Sequence, residues 1–227
     1  MIIKAFSNSD ALYVFILVAM QISALLVALP VHEWAHAFVA YKQGDSTAKF
    51  AGRMTLAPFK HFDLFGFMFL LLFGFGWAKP VPIDERNFKH PTRSGILVAL
   101  AGVAANFIQG TIFIIISCAL TRFFPNYATQ WGIYGYALKA FLYYVTVINF
   151  VLVFFNILPI YPLDGFRVVE TLSSPHNTFV DFMRRYSTII MFILILLTYV
   201  FEIYFQYTAG GTIDGLTWLF TKFFALF

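Results

Sequence analysis

Apolar residues run through this chain in long blocks, and the polar interruptions between them are short. From Ala11 to Lys42 the pattern is almost wholly apolar and predicts one helix, with Ser9 or Asp10 as its N-cap. At 1.5 Å per residue such a helix is about 48 Å long, against a bilayer hydrocarbon core of ~30 Å. Phe62 to Ala78 is apolar again, but short and interrupted by Gly66, Gly74 and Gly76. It leads into Trp77-Ala78-Lys79-Pro80-Val81-Pro82, whose prolines favour extended backbone. Ser94 to Thr121, Leu138 to Pro162 and Tyr186 to about Tyr207 are further spanning candidates. Thr212 to Phe227 is apolar with Asp214 and Lys222 and reads as an interfacial stretch. The pattern predicts an all-α polytopic membrane protein with four spanning helices. A re-entrant or extended segment lies between the first two. Residues 1–227 read as a single membrane-embedded domain, with a core over 11–167 and additional helices over 186–227.

Composition excludes an ordinary soluble domain. Hydrophobic residues make up 60% of the chain and charged ones 11%, with a mean hydropathy of +0.78. The net charge of +4 reads as membrane topology, not as a nucleic-acid footprint, because the basic residues flank apolar spans. If 62–78 does not cross, Lys42, Lys49, Arg53, Lys60, Lys79, Arg86, Lys89, Arg93, Arg167, Arg184 and Arg185 share one side. Only Lys4, Arg122, Lys139 and Lys222 fall on the other, so the first side is predicted to be cytoplasmic. If 62–78 did cross, Asp164 and the histidines of the first helix would face opposite compartments. Cys118 is the single cysteine, so no intrachain disulfide can form. Lys4 and the apolar run after it superficially fit a signal peptide. Cleavage would remove the scaffold of the motif described next, so the segment is expected to be retained.

That motif is His32-Glu33-Trp34-Ala35-His36, near the end of the first apolar run. Histidines four apart on a helix share one face and can reach one metal ion, while Glu33 can reach a water beside it. This is the H-E-x-x-H pattern of zinc hydrolases. His36 lies about 9 Å along the helix from Lys42, inside the bilayer but near one surface. A third ligand is needed, and Asp45, Asp63, Asp84, Glu85, Asp164 and Glu170 fall near the same face. Asp164 is preferred. Pro159 and Pro162 deny a helix its backbone bonds and Gly165 permits a tight turn, so the chain unwinds before this carboxylate. Irregular backbone at membrane depth is tolerated where it lines a cavity or is packed in protein. Two neutral imidazoles, one carboxylate, a hydroxide and a divalent zinc ion sum to zero charge, which makes the cluster cheaper to bury.

H-E-x-x-H at the end of a membrane helix, followed by Asn156-Ile157-Leu158-Pro159-Ile160-Tyr161-Pro162-Leu163-Asp164-Gly165, resembles the site-2 protease family of intramembrane zinc metalloproteases. Phe75-Gly76-Trp77-Ala78-Lys79-Pro80-Val81-Pro82 resembles a compact bacterial branch of that family, without PDZ or nucleotide-sensing domain. The resemblance runs from about Pro30 to Arg167. It implies His32, His36 and Asp164 as ligands of Zn²⁺ and Glu33 as catalytic base. Gly102-Val103-Ala104-Ala105-Asn106 matches a G-P-x-x-N element of the family, with Val103 in place of the proline. Asn106 and Asn156 would by resemblance hold substrate backbone or stabilise the oxyanion. The alternative is that both amides make interhelical hydrogen bonds, with Asn156 structural or orienting a ligand.

These readings predict an intramembrane zinc metalloprotease in the cell membrane, active near the cytoplasmic face on a transmembrane protein substrate. A helical substrate must unwind to expose its carbonyls, and Trp77 to Pro82 is expected to offer it a free strand edge. Substrate selection falls to the membrane core, an accessory membrane partner or a homo-oligomer. Two other classes stay open: a membrane-bound zincin acting on exposed cytosolic segments, with Glu170 completing its site, and a non-proteolytic metal-binding protein. An intact Glu33 argues against the last, since transport needs ligands but no general base.

Overall fold

Three of the apolar runs become the three long helices that organise the molecule. The computed structural model describes residues 11–66, 68, 78–174, 176–196 and 203–226. Helix α1 spans Ala11–Lys42 and stays continuous through Pro30. It ends because Gly44, at φ +113°, turns the chain back. Gly44 N donates to Tyr41 O and Asp45 N to Ala40 O, which satisfies carbonyls the last turn would leave open. A Cβ on Gly44 would lie 2.8 Å from the carbonyl oxygen of Asn87, so glycine is required there twice over. The short helix α2 (Thr47–Phe50) and two 3-10 turns (Pro58–Lys60 and Glu85–Asn87) follow in the polar loop.

Helix α3 is Pro91–Phe123, with Pro91 at its first position, where the missing N–H costs nothing. A single-turn helix, α4 (Tyr127–Gln130), connects it to α5 (Gly132–Asn156). Among the described residues α1, α3 and α5 are the helices long and apolar enough to cross a membrane, and all three pack against one another. Their contacts use small residues. Ala24, Ala28, Ala37 and Ala40 of α1 are fully buried, and Gly102 and Gly110 of α3 let side chains of α1 and α5 approach. Apolar burial alone gives little preference for protein over lipid, so close backbone packing has to supply the association.

Beyond α5 the chain makes a run of turns over Ile157–Leu163 and starts α6 (Asp164–Leu172), which packs on α3. Helix α5 thus ends at Asn156, six residues before the predicted Pro162, because the two prolines cannot continue it. Helix α7 is Thr178–Leu196, and α8 is Gly211–Phe224.

Two expectations fall partly outside the described residues, and one changes. Four spanning helices were predicted, and three candidates are found among the described residues; the fourth predicted span, Tyr186 to about Tyr207, includes residues 197–202, which lie outside them. Most of the predicted re-entrant segment, 67 and 69–77, also lies outside them. The C-terminal stretch, expected at the interface from Thr212, runs lengthwise along the bundle instead. Residues 203–205 are α-helical and lead through a π-turn, Gln206–Gly210, straight into α8. Tyr204 Oη donates to Phe154 O (2.9 Å) and Arg122 Nε donates to Phe224 O (3.2 Å), so this helix runs beside α3 in the same direction. The polar residues that suggested a break are satisfied within the helix. Thr208 and Thr212 donate their hydroxyls to Tyr204 O and Thr208 O.

Candidate metal centre

His32 and His36 lie one turn apart on α1, and each ring is fixed by the nitrogen that faces away from its neighbour. His36 Nδ1 is 2.7 Å from the backbone carbonyl of Val98, which can only accept, so Nδ1 carries the proton and Nε2 the lone pair. The same logic reaches His32 through a relay. Asn149 Nδ2 donates to Val145 O (2.7 Å), which turns Asn149 Oδ1 toward Asn106. Asn106 Nδ2 donates to that oxygen (2.7 Å), leaving Asn106 Oδ1 to accept from His32 Nδ1 at 2.5 Å. His32 Nε2 therefore also presents a lone pair. A single backbone carbonyl on α5 sets the tautomer of an imidazole on α1.

The third member comes from α6. Asp164 is its first residue, and Gly165 brings the helix start against α5. A Cβ on Gly165 would overlap the carbonyls of Ile157 and Leu158. Asp164 Oδ2 lies 3.3 Å from His32 Nε2 and 3.2 Å from His36 Nε2, and the two imidazole nitrogens are 3.1 Å apart. All three residues are buried, and Asp164 Oδ2 has no hydrogen-bond partner. Three electron-pair donors pointed at one another without a proton between them would repel. A cation resolves this. Tetrahedral zinc with bonds of about 2.0–2.1 Å has ligand-to-ligand edges of about 3.3 Å, the size of this triangle. Gly102 completes the cradle from α3, since a Cβ there would fall on both imidazoles.

Glu33, also buried, lies beside the triangle on α1. Its Oε2 accepts from the backbone N–H of Val81 at 2.9 Å. Val81 belongs to a strap, Lys79–Asp84, without regular secondary structure. The strap is tied down on the polar loop. Lys79 N donates to His61 O, Arg53 Nη2 donates to Lys79 O and Pro80 O, and Asp84 N donates to Asp45 Oδ2.

The remaining candidates separate cleanly. Asp45, buried, accepts from Thr47, Asp84 and Asn87 and is a loop hub. Asp63 receives the N–H of Gly66, Asp84 pairs with Arg86, and Glu85 starts a 3-10 turn. Glu170 pairs with Arg184 at 2.5 Å and is not among the clustered donors. Asn106 spends one amide hydrogen on Asn149 and one oxygen lone pair on His32, so it makes the interhelical bonds of the alternative reading. Asn156 Nδ2 bonds back to Leu152 O in its own helix. Asn149 was missed. A buried amide in a membrane helix demands a partner, and that was the one signal available for it.

The sequence model for "Peptidase family M50" matches residues 20–130 and 130–198. The chain belongs to that family. The candidate zinc metalloprotease YwhC of Bacillus subtilis is 42% identical over 151 residues, covering 66% of this chain and 68% of the relative. The candidate zinc metalloprotease Rip2 of Mycolicibacterium smegmatis is 30% identical over 171 residues, covering 72% and 60%. Its namesake in Mycobacterium tuberculosis is 32% identical over 165 residues, covering 70% and 59%. The chain thus spans about two thirds of the Bacillus protein and three fifths of each mycobacterial one. No solved structure gives a significant match. As an M50 chain the protein is a membrane metalloprotease of the site-2, zinc-dependent type, and the donor triangle fits that metal.

Proposed function

We propose that this M50 protein cuts peptide bonds within transmembrane segments of other membrane proteins, near the cytoplasmic face. In this reading His32, His36 and Asp164 hold the zinc and Glu33 is the general base. The observation that carries it is the buried triangle of donor atoms with a carboxylate beside it, set on α1 six residues before its charged end at Lys42. When bound, zinc supplies a Lewis acid that activates water at neutral pH. Glu33 takes the proton of the attacking water on its carboxylate and returns it to the leaving amine nitrogen. Asn106 and Val98 O keep both imidazoles in the tautomer that leaves Nε2 free. The bias of Lys and Arg toward the loops around this end supports a cytoplasmic placement.

A substrate helix must unwind to offer its carbonyl, and the strap is not the free strand edge the sequence suggested. Lys79 N, Lys79 O, Pro80 O and Val81 N are already taken by His61, Arg53 and Glu33.

The test compares purified wild type with Glu33→Gln for bound zinc and for cleavage of a panel of single-span helices. Equal zinc is expected, with cleavage down by about 10²–10⁴-fold. Cleavage by Glu33→Gln at the wild-type rate would overturn the assignment of the base. A wild type that cuts only extended soluble peptides would overturn the intramembrane substrate.

A further inference from the structure

The strap over the site carries a feature that the metal chemistry does not require. Between Pro80 and Pro82 it has one backbone N–H, that of Val81, because proline has none. That N–H is aimed at Oε2 of Glu33 (2.9 Å). The other end of the same peptide unit, the carbonyl of Pro80, accepts from Arg53 Nη2 (3.3 Å), which also holds the carbonyl of Lys79 (2.7 Å). One peptide plane therefore stands between a guanidinium at its oxygen and a carboxylate at its N–H. This charge order polarises the unit in the sense that strengthens its N–H as a donor.

We propose that Arg53 is a positioning residue for proteolysis, acting on Glu33 through the Pro80–Val81 peptide plane. The proposal rests on Glu33 being the general base. A buried carboxylate left to itself rotates or seeks another donor, and hydrogen bonds to one oxygen fix the direction of the other. With Oε2 held by Val81, Oε1 takes no hydrogen bond from a described residue and remains for the proton. Prolines on both sides of Val81 remove competing donors and stiffen the backbone, so the N–H cannot drift from its target. His61 O, which accepts from Lys79 N, and Asp45, which accepts from Asp84 N, anchor the two ends of the strap.

The experiment deletes the donor and its clamp separately in the zinc-loaded full chain. It uses a labelled single-span helix that the wild type cleaves. Val81→Pro removes the N–H and keeps an extended backbone that its proline neighbours already favour. Arg53→Gln removes the charge from the other end of the plane. Both are expected to keep full zinc occupancy and unchanged KM while kcat falls by about 10–100-fold. Arg53→Lys is expected to fall between Arg53→Gln and wild type. Val81→Ala, which trims the buried side chain but keeps the N–H, should lose less than Val81→Pro. Wild-type kcat in zinc-loaded Val81→Pro or Arg53→Gln overturns the proposal. So does equal damage from Val81→Ala and Val81→Pro, or loss of zinc together with activity, since the strap would then hold the fold or the metal. Glu33→Gln run in parallel separates the two ideas. If it is inactive while Val81→Pro is not, the base stands and the positioning role falls.

Discussion

The two ends of the helix bundle are held by different forces. At the end bearing the donor triangle, buried polar groups are linked in a relay: Val145 O holds Asn149, Asn149 holds Asn106, Asn106 holds His32 and Val98 O holds His36. At the other end Ile114, Cys118, Phe150 and Ala209 form an apolar cluster, with Ile213, Leu216, Phe220 and Phe224 of α8 packed on it. In the first region each interaction is directional, and losing one partner strands the next group without water to replace it. In the second, contacts are many, weak and interchangeable, and lipid competes for them. The metal end therefore specifies geometry, and the apolar end supplies cohesion.

The largest effect that would break this division is at the third donor. Asp164→Asn keeps the shape but loses the charge, and should abolish stoichiometric zinc by metal analysis while leaving helix content by circular dichroism unchanged. Unfolding of Asp164→Asn would show that cohesion also resides at the metal end. Phe150→Ala is the converse. Phe150 is fully buried against Gly110, and its loss should cost about 3–5 kcal/mol of stability in thermal unfolding. Zinc affinity should not change. Asn149→Leu sits on the boundary, next to Phe150 in sequence but inside the relay. It strands the Asn106 amide and frees the His32 ring, so zinc affinity should fall by about 10–100-fold in a competitive chelator titration. A drop in stability with wild-type affinity would mean that the relay is only packing.

The smallest effect is in the loop. Burial alone would raise the pKa of Asp45, but hydrogen bonds from Thr47, Asp84 and Asn87 outweigh it and hold the carboxyl below its usual range. A depressed folded-state pKa gives stability that is complete above the unfolded value of about 3.9 and is lost as pH falls through the lower folded one. Asp45→Asn should therefore cost about 1–3 kcal/mol at pH 7, with the difference from wild type closing below about pH 4. A constant difference down to pH 3 would assign the effect to shape, not charge.

What was legible in the chain follows the same division. Helix α1 is continuous to Lys42 as its apolar pattern predicted, its predicted N-cap residues Ser9 and Asp10 lying outside the described residues, and Asp164 meets both histidines where Pro159, Pro162 and Gly165 placed the unwound turn. Local chemistry set these features. Asn156 was singled out because it sits in a motif, yet its amide bonds within its own helix, while Asn149, in no motif, carries the relay. Its pairing with Asn106 spans forty-three residues of sequence, and no local spacing reports it. The join between 203–205 and α8 was obscured because Thr208, Gly210, Gly211 and Thr212 look like a loop until the two threonine hydroxyls are seen to bond one turn back. The bonds of the strap were out of reach for the same reason, since Val81 and Glu33 are forty-eight residues apart.

The bare Cα of Gly165 has a mechanical consequence. It seats the first turn of α6 directly on the carbonyls that close α5, so Asp164, the proposed third zinc donor, and the end of a transmembrane helix travel as one piece. However the bundle parts to admit a guest, opening the seam between α5 and α6 would draw Asp164 away from both histidines. Traffic into the active centre has to come by another side.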